Sequence, residues 1–310
     1  MVDKFISIIV PCYNEEVAIN ETHNVLYRIM YDSYDNFEIL YINDGSSDKT
    51  LIELLKIREK SNNVRVINFS RNFGHQAAVS AGISLAKGDY AVIIDADLQD
   101  PPSCIPLMVK QAIDEQANVV YGVRKIRKGE SLFKKITAKL FYRILNYFSE
   151  IQIPVDTGDF RLIDRKVINQ FNQLKEKQKY IRGLITWIGY KQIPFYYERE
   201  ARVAGETHYP FFKMVSFAVK GLMYFSKKPL SLATNLGVIS VGISLLFLLY
   251  FLIQKVFFPQ TLIQGWTSII CLIVFFGGIQ LLTIGLLGSY IGNMFAEIKD
   301  RPEYIIDEII

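Results

Sequence analysis

Cysteine is scarce in this 310-residue chain: Cys12, Cys104 and Cys271 are the only three, and none sits at a paired spacing. That excludes a disulfide framework and argues against a zinc site, leaving the cysteines as small hydrophobes in a reducing compartment. Neither a Gly-x-Gly-x-x-Gly nor a Walker-type glycine loop occurs, so a bound phosphate must be held in some other way. Internal repeats and low-complexity segments are also missing. Met1-Val2-Asp3-Lys4 runs straight into a strand, without the pattern of a signal peptide. The net charge of +4 is modest, and no nucleic-acid partner is expected. Apolar residues, by contrast, are plentiful. Half the chain is hydrophobic and the mean hydropathy is +0.18, high for a wholly soluble protein. The length allows one large core plus a membrane part.

The first 123 residues alternate between two patterns. Short apolar runs at 5–10, 37–42, 64–69, 90–95 and 118–123 read as strands. Helices are expected at 15–31, 48–60, 74–86 and 103–116, the first with Asn14 as a plausible cap. Strands alternating with helices imply a mostly parallel α/β sheet covered on both faces.

After the sheet the character changes. Arg124 to Arg143 holds eight basic residues and one acid, Glu130. Leu132, Phe133, Ile136, Leu140, Phe141 and Ile144 recur there at helical spacing, so an amphipathic interfacial helix is expected at about 131–148. A second is expected at about 210–226, where Lys213, Lys220 and Lys227 repeat every seven residues. Residues 232–253 and 267–289 carry no formal charge, and each run can cross a ~30 Å hydrocarbon core as a helix. Lys227 and Lys228 precede the first run, and Lys299 and Arg301 follow the second. The positive-inside rule therefore puts both ends in the cytosol. The expected organisation is a cytosolic domain over 1–228, two transmembrane helices within 229–292 and a cytosolic tail over 293–310.

The chemistry points to Asp95-Ala96-Asp97-Leu98-Gln99-Asp100-Pro101-Pro102, which follows the apolar run Tyr90 to Ile94. Carboxylates at the C-terminal end of a buried parallel strand stand where open α/β sheets bind ligands. Asp95 and Asp97, with Gln99 nearby, suit a hard cation such as Mg²⁺ or Mn²⁺ that shares its shell with substrate phosphates. Asp-x-Asp alone is weak, because Asp also serves at caps and turns. Here it comes third in an ordered set, after Ser7-Ile8-Ile9-Val10-Pro11-Cys12-Tyr13-Asn14-Glu15-Glu16 and Asn43-Asp44-Gly45-Ser46-Ser47-Asp48. Arg71-Asn72-Phe73-Gly74-His75-Gln76, Gly158-Asp159-Phe160-Arg161 and Arg202-Val203-Ala204-Gly205-Glu206-Thr207 add to it. Together with two C-terminal hydrophobic spans, these motifs resemble the family 2 glycosyltransferases of GT-A fold. More narrowly, they resemble the polyisoprenyl-phosphate (bactoprenol) glycosyltransferase group, related to the dolichol-phosphate mannose synthases.

The resemblance implies an inverting, metal-dependent transfer of a sugar, glucose favoured, from a UDP-sugar to undecaprenyl phosphate. The reaction would run at the cytosolic face of a bacterial plasma membrane, in a homo-oligomer. It implies that Pro11, Tyr13 and Glu15 border the uridine, that Asp44 accepts from the uracil and that Gly74 lets the backbone approach the nucleotide. Arg202 belongs to a loop that closes over the diphosphate. Arg124 and Arg127 are candidates for the lipid phosphate, because a guanidinium grips phosphate bidentately. Asp159 is the matched candidate for catalytic base, with Asp156 as its nearest competitor. A phosphate monoester with a second pKa of about 6 is already largely ionised near neutrality, so Asp159 could instead orient the acceptor or the sugar. His208 stands where the family commonly has lysine, which makes that charge dependent on pH; His75 has no assigned role. Two other readings are a processive family 2 polysaccharide synthase, whose Gln-x-x-Arg-Trp motif is missing here, and an inactive membrane scaffold.

Overall fold

A computed structural model of the chain describes residues 4–124, 157–177, 179–198 and 266–310, with scattered helical positions between 230 and 257. The chain divides into two compact units. One carries the sheet with its helices and includes residues 301–310; the other carries the long C-terminal helix.

In the first unit, β1 (Ile6–Cys12) and β2 (Phe37–Asn43) are buried at every position. That is the mark of parallel strands covered on both faces. Between them runs α1 (Ile19–Ser33), whose Ile19, Thr22, His23, Leu26 and Met30 lie three or four residues apart and form its buried stripe. Next come α2 (Thr50–Lys60), β3 (Val64–Phe69), α3 (His75–Leu85), β4 (Tyr90–Ile93), α4 (Cys104–Asp114) and β5 (Val119–Arg124). Then follow β6 (Thr157–Asp164), α5 (Arg165–Phe171), α6 (Ile181–Ile188) and β7 (Gln192–Tyr197). Asp164 caps α5 by accepting from the Val167 N–H at 2.9 Å, and left-handed Gly189 (φ 81°) ends α6.

The sheet has eight strands in the order β7-β5-β6-β4-β1-β2-β3-β8, where β8 is Ile306–Ile309. The pairs β1–β2, β1–β4, β2–β3 and β5–β7 are parallel; β4–β6, β5–β6 and β3–β8 are antiparallel. The expected mostly parallel α/β layout is present. So are the nine strands and helices expected before residue 124, with ends that move by up to four residues.

Three differences matter. The first helix starts at Ile19, not near residue 15, because residues 14–16 are bound to a neighbouring loop. Asn14 is therefore no helix cap: its backbone is left-handed (φ 56°), and its side chain accepts from Ser47. Second, Gly158-Asp159-Phe160-Arg161 lies within β6, a strand inserted antiparallel between β4 and β5. Third, the expected tail over 293–310 splits. Its first residues extend the helix to Ile298, and its last form β8 on the edge of the sheet.

In the second unit, α7 (Trp266–Ile298) includes the run expected as a span at 267–289. At 1.5 Å per residue its 33 residues extend about 50 Å. Among the described residues one helix, over Phe275–Ile298, is long and apolar enough to cross a membrane, where the sequence suggests two. The other expected span, 232–253, is described at 12 of its 22 positions, all of them helical, and both expected interfacial helices lie outside the described residues.

Candidate functional site

The C-terminal ends of β2, β1 and β4 lie side by side, so the segments that follow them share one edge of the sheet. Two of these segments brace each other. Asn14 N–H donates to Ser46 Oγ at 3.0 Å, Ser47 N–H to Asn14 Oδ1 at 2.9 Å, and Glu15 N–H to Thr50 Oγ1 at 2.8 Å. Tyr13 is half-exposed at this edge, while Pro11 is buried in β1.

Asp44 is buried and organises a third segment. Its two oxygens accept from the backbone N–H groups of Phe73 (2.7 Å) and Gly74 (2.9 Å). Burial raises its pKa above the ordinary 3.8, against the opposing pull of those two N–H groups. Each carboxylate oxygen keeps a second lone pair, so accepting from a base remains chemically open. The same fit explains Gly45. Its φ is 61°, and a Cβ there would stand 2.3 Å from the carbonyl carbon of Arg71. Gly74 has φ 100° and ψ 156°, a conformation essentially reserved for glycine, and a Cβ there would meet nothing within 4 Å.

The acidic motif leaves β4 through a hydrogen bond from Ile94 N–H to Ile9 O, and Thr22 Oγ1 donates to the Ala96 carbonyl at 2.6 Å. Leu98 then takes a left-handed conformation (φ 56°), uncommon for a non-glycine residue, and the Gln99 N–H reaches back to Asp97 Oδ1 at 3.1 Å. Burial pushes the Asp95 carboxyl up to about 6. His75 opposes that rise, while the carboxylates of Asp159, Asp100 and Asp97 add to it. A cation would relieve this crowding. Among the described residues no group of three or more acids, histidines and cysteines could hold a metal by itself. The residues thus fit a Mg²⁺ or Mn²⁺ site in which one or two carboxylates share the ion with substrate phosphates, and they do not fit a closed protein cage.

Asp159 faces this motif. Antiparallel pairing of Ile93 with Arg161 sets Asp159, two residues before Arg161, level with Asp95, two residues after Ile93. His75, the first residue of α3, stands between them: its Nε2 is 3.2 Å from Asp159 Oδ2 and 3.9 Å from Asp95 Oδ1. On the other side Arg182 of α6 donates through Nε to Asp159 Oδ1 at 2.7 Å. Burial alone would raise the Asp159 pKa. Arg182 and His75 overcome it and hold the carboxyl well below the usual range. His75 in turn loses charge to burial and regains more from Asp159 and Asp95, so its pKa rises above 6.5. The arrangement is a carboxylate fixed between two donors, and such a group is a poor proton acceptor.

Arg124 ends β5 beside this site. A Cβ on Gly158 would stand 2.9 Å from Arg124 Nη2, so a side chain at 158 would displace the guanidinium. Buried Asp100 accepts from the Tyr197 hydroxyl at 2.5 Å and lies 3.9 Å from Arg124 Nη2, which anchors the arginine from behind.

Asp95, Asp97, Gln99 and Asp159, with Asp44, Gly74, Pro11, Tyr13, Glu15 and Arg124, thus belong to one sheet edge and the segments after it. Arg127, Arg202, His208 and the competitor Asp156 lie outside the described residues. Sequence reasoning missed Arg182 and gave His75 no role. His75 is adjacent to Gly74 in a motif already singled out. Arg182 carried no signal, because nothing local in Tyr180-Ile181-Arg182-Gly183 reports a partner 23 residues upstream.

Residues 7–171 match the model of the family "Glycosyl transferase family 2". Over 97% of its length the chain is 47% identical to the glycosyltransferase YkcC of Bacillus subtilis, covering 93% of that protein. It is 35% identical to the bactoprenol glucosyl transferase of Shigella phage SfII, with 97% of each chain covered. Over 98% of its length it is 34% identical to the prophage bactoprenol glucosyl transferase homolog of Escherichia coli K12, covering 99% of that chain. Among solved structures, it resembles mannosyl-3-phosphoglycerate synthase from Rubrobacter xylanophilus with a TM-score of 0.48 and 16% identity. That match covers 71% of this chain and 73% of the other.

Proposed function

The chain belongs to glycosyl transferase family 2, in the polyisoprenyl-phosphate (bactoprenol) glycosyltransferase group, and on that premise we propose a specific reaction for it. It transfers a sugar, glucose favoured, from a UDP-sugar to polyisoprenyl (undecaprenyl) phosphate. An oxygen of the acceptor phosphate attacks the anomeric carbon, the bond from that carbon to the UDP oxygen breaks, and UDP leaves with the electron pair. Attack opposite the leaving group inverts the configuration. The observation that carries this reading is the approach of Asp159 on β6 to Asp95 just beyond β4, with His75 in reach of both. It brings the carboxylate proposed for the sugar or acceptor beside the one proposed for the metal and diphosphate, with His75 between them.

Each side chain then has a task. Tyr13 stacks on the base, Glu15 accepts from the ribose, and Asp44 accepts from the uracil while fixing the backbone at Phe73 and Gly74. Asp95 and Asp97, with Gln99 nearby, would hold Mg²⁺ or Mn²⁺, which when bound offsets charge on the departing diphosphate. Asp159, kept ionised by Arg182 and His75, orients a sugar hydroxyl or the acceptor; a phosphate nucleophile needs no proton removed near neutrality. Arg124 holds the lipid phosphate, helped by Arg127; the loop of Arg202 closes over the diphosphate, and His208 of that loop carries a pH-dependent charge for the diphosphate or the lipid phosphate.

Connectivity supports the membrane arrangement proposed here. β7 and β8 belong to one sheet, so the chain between them returns to the side it left. A crossing by α7 then needs a second crossing earlier, and the uncharged run 232–253 provides it. The sheet unit and both ends face the cytosol.

The test is transfer from a panel of UDP-sugars to undecaprenyl phosphate by the full-length protein in detergent or liposomes, with the lipid product identified by mass. A single hexose on the lipid phosphate is expected. A growing polysaccharide would instead indicate a processive synthase. Metal-independent nucleotide binding with no turnover of any donor would indicate a scaffold.

A further inference from the structure

The segment beyond the apolar helix does more than end the chain. Glu303 is nearly buried between two elements of the site. Its carboxylate accepts from Ser80 Oγ of α3 at 2.8 Å and lies 3.6 Å from Lys179 Nζ, just before α6. Lys179 also reaches Ser80 Oγ at 3.4 Å, which closes a three-way contact. The same two helices are joined at their first turns, where the Ile181 N–H donates to Gln76 Oε1 at 3.0 Å. One residue from each end of this last bond stand the two groups that clamp Asp159: His75 opens α3, and Arg182 is the second residue of α6.

Neighbouring residues of the tail engage the nucleotide side. Tyr304 stacks on Phe69 with ring centroids 5.1 Å apart, and Phe69 meets Phe73 edge-on at 5.8 Å. Phe73 is one of the two backbone donors to Asp44. Backbone bonds from Ser70 N–H to Ile305 O and from Ile310 N–H to Val66 O hold the segment along β3.

We propose that Glu303 is a positioning residue for the transfer reaction: by bridging Ser80 and Lys179 it sets α3 against α6, and so sets His75 and Arg182 about Asp159. The inference rests on the transferase reading above. It makes the ten residues Arg301–Ile310 a working part of the catalytic unit. An acid is a costly choice for a merely structural bridge, because burial pushes the Glu303 carboxyl up to about 7 despite Lys179 beside it. A neutral glutamine in its place would keep an acceptor for Ser80 and lose only the pull on Lys179.

The experiment is Glu303→Gln in the full-length protein, alone and combined with Arg182→Lys. The readouts are kcat, KM for the UDP-sugar, UDP affinity by calorimetry, and Tm at pH 8. Expected for Glu303→Gln is a loss in kcat of roughly 3- to 30-fold, with donor KM and UDP affinity within about twofold and Tm unchanged or raised. In the double variant the two kcat losses should be clearly less than multiplicative, because both act through Asp159. Wild-type kcat in Glu303→Gln overturns the proposal. So do multiplicative losses, or kcat, UDP affinity and Tm falling together, which would mark a structural brace alone. Should wild-type protein turn over no donor, the transferase reading itself fails. Hydrogen exchange then tests the bridge separately: faster exchange across residues 75–85 and 181–188 in Glu303→Gln supports it, and unchanged exchange overturns it.

Discussion

Arg182→Met asks whether the carboxylate clamp contributes to catalysis. The substitution keeps an unbranched stem in place and removes the guanidinium 2.7 Å from Asp159. The two side chains are 25% and 15% exposed, so water replaces the lost partner only in part. A hydrogen bond to a charged group contributes about 1.5–3 kcal/mol net. At about 1.4 kcal/mol per decade, full expression in the transition state corresponds to roughly 10- to 150-fold in kcat. His75 still holds the other carboxylate oxygen at 3.2 Å, which favours the lower half of that range. UDP affinity should change little, since the substitution leaves His75 and the Phe73 and Gly74 N–H groups that hold Asp44 in place. The clamp also has a signature in stability. Asp159 is depressed in the folded protein, so its ionisation stabilises the fold above the unfolded value near 3.9; that contribution is lost as pH falls through the lower folded value. Arg182→Met should therefore lower the denaturation midpoint at pH 6–8 and converge on wild type in strong acid. The assays are initial rates with labelled UDP-glucose and undecaprenyl phosphate, and urea midpoints across pH. If kcat stays within twofold of wild type, or the stability gap persists unchanged in strong acid, the clamp has been misread.

Asp159→Asn should cost the same factor in kcat at every pH from about 6 to 9, because an ionised, doubly paired carboxylate orients rather than removes a proton; partial rescue at high pH would restore the role of base. Asp97→Asn should abolish transfer, and chelation should do so reversibly; full activity in chelator would remove the metal from the mechanism. Gly45→Ala forces a Cβ to within 2.3 Å of backbone at φ 61° and should destabilise by about 1–3 kcal/mol, read as a lower urea midpoint with weakened UDP binding. Glu303 is raised in the folded protein to about 7, so the stability it confers is fully present below its unfolded pKa and drains away as pH rises through 7. Glu303→Gln should flatten that decline, by on the order of 3 kcal/mol between about pH 4 and 8, and parallel stability curves would count against it.

The half of the site proposed for the nucleotide was legible because its residues follow strands in the sequence. A buried apolar run followed by Asp-x-Asp states both the strand and what emerges at its end, so Asp95 and Asp97 could be named from local pattern, whereas Asp44 was named by resemblance. Asp159 was named by resemblance to a motif, and its place in an antiparallel strand opposite Asp95 could not be read, since register between strands so far apart in sequence leaves no local trace. Arg182 was invisible for the same reason. The expected boundary at residue 228 rests on a different criterion. Hydropathy divides a chain by the solvent each segment prefers, and on that criterion Arg301–Ile310 is a short polar remnant. Sheet pairing divides it by hydrogen bonds, and on that criterion the same ten residues complete the edge at β3 and carry Glu303 into the site. A chain cut at 228 would lose β8 together with the membrane part, so weak transfer by such a fragment would not by itself measure dependence on the membrane. The two boundaries coincide only in proteins with no strand beyond the last span, and here β8 lies beyond it.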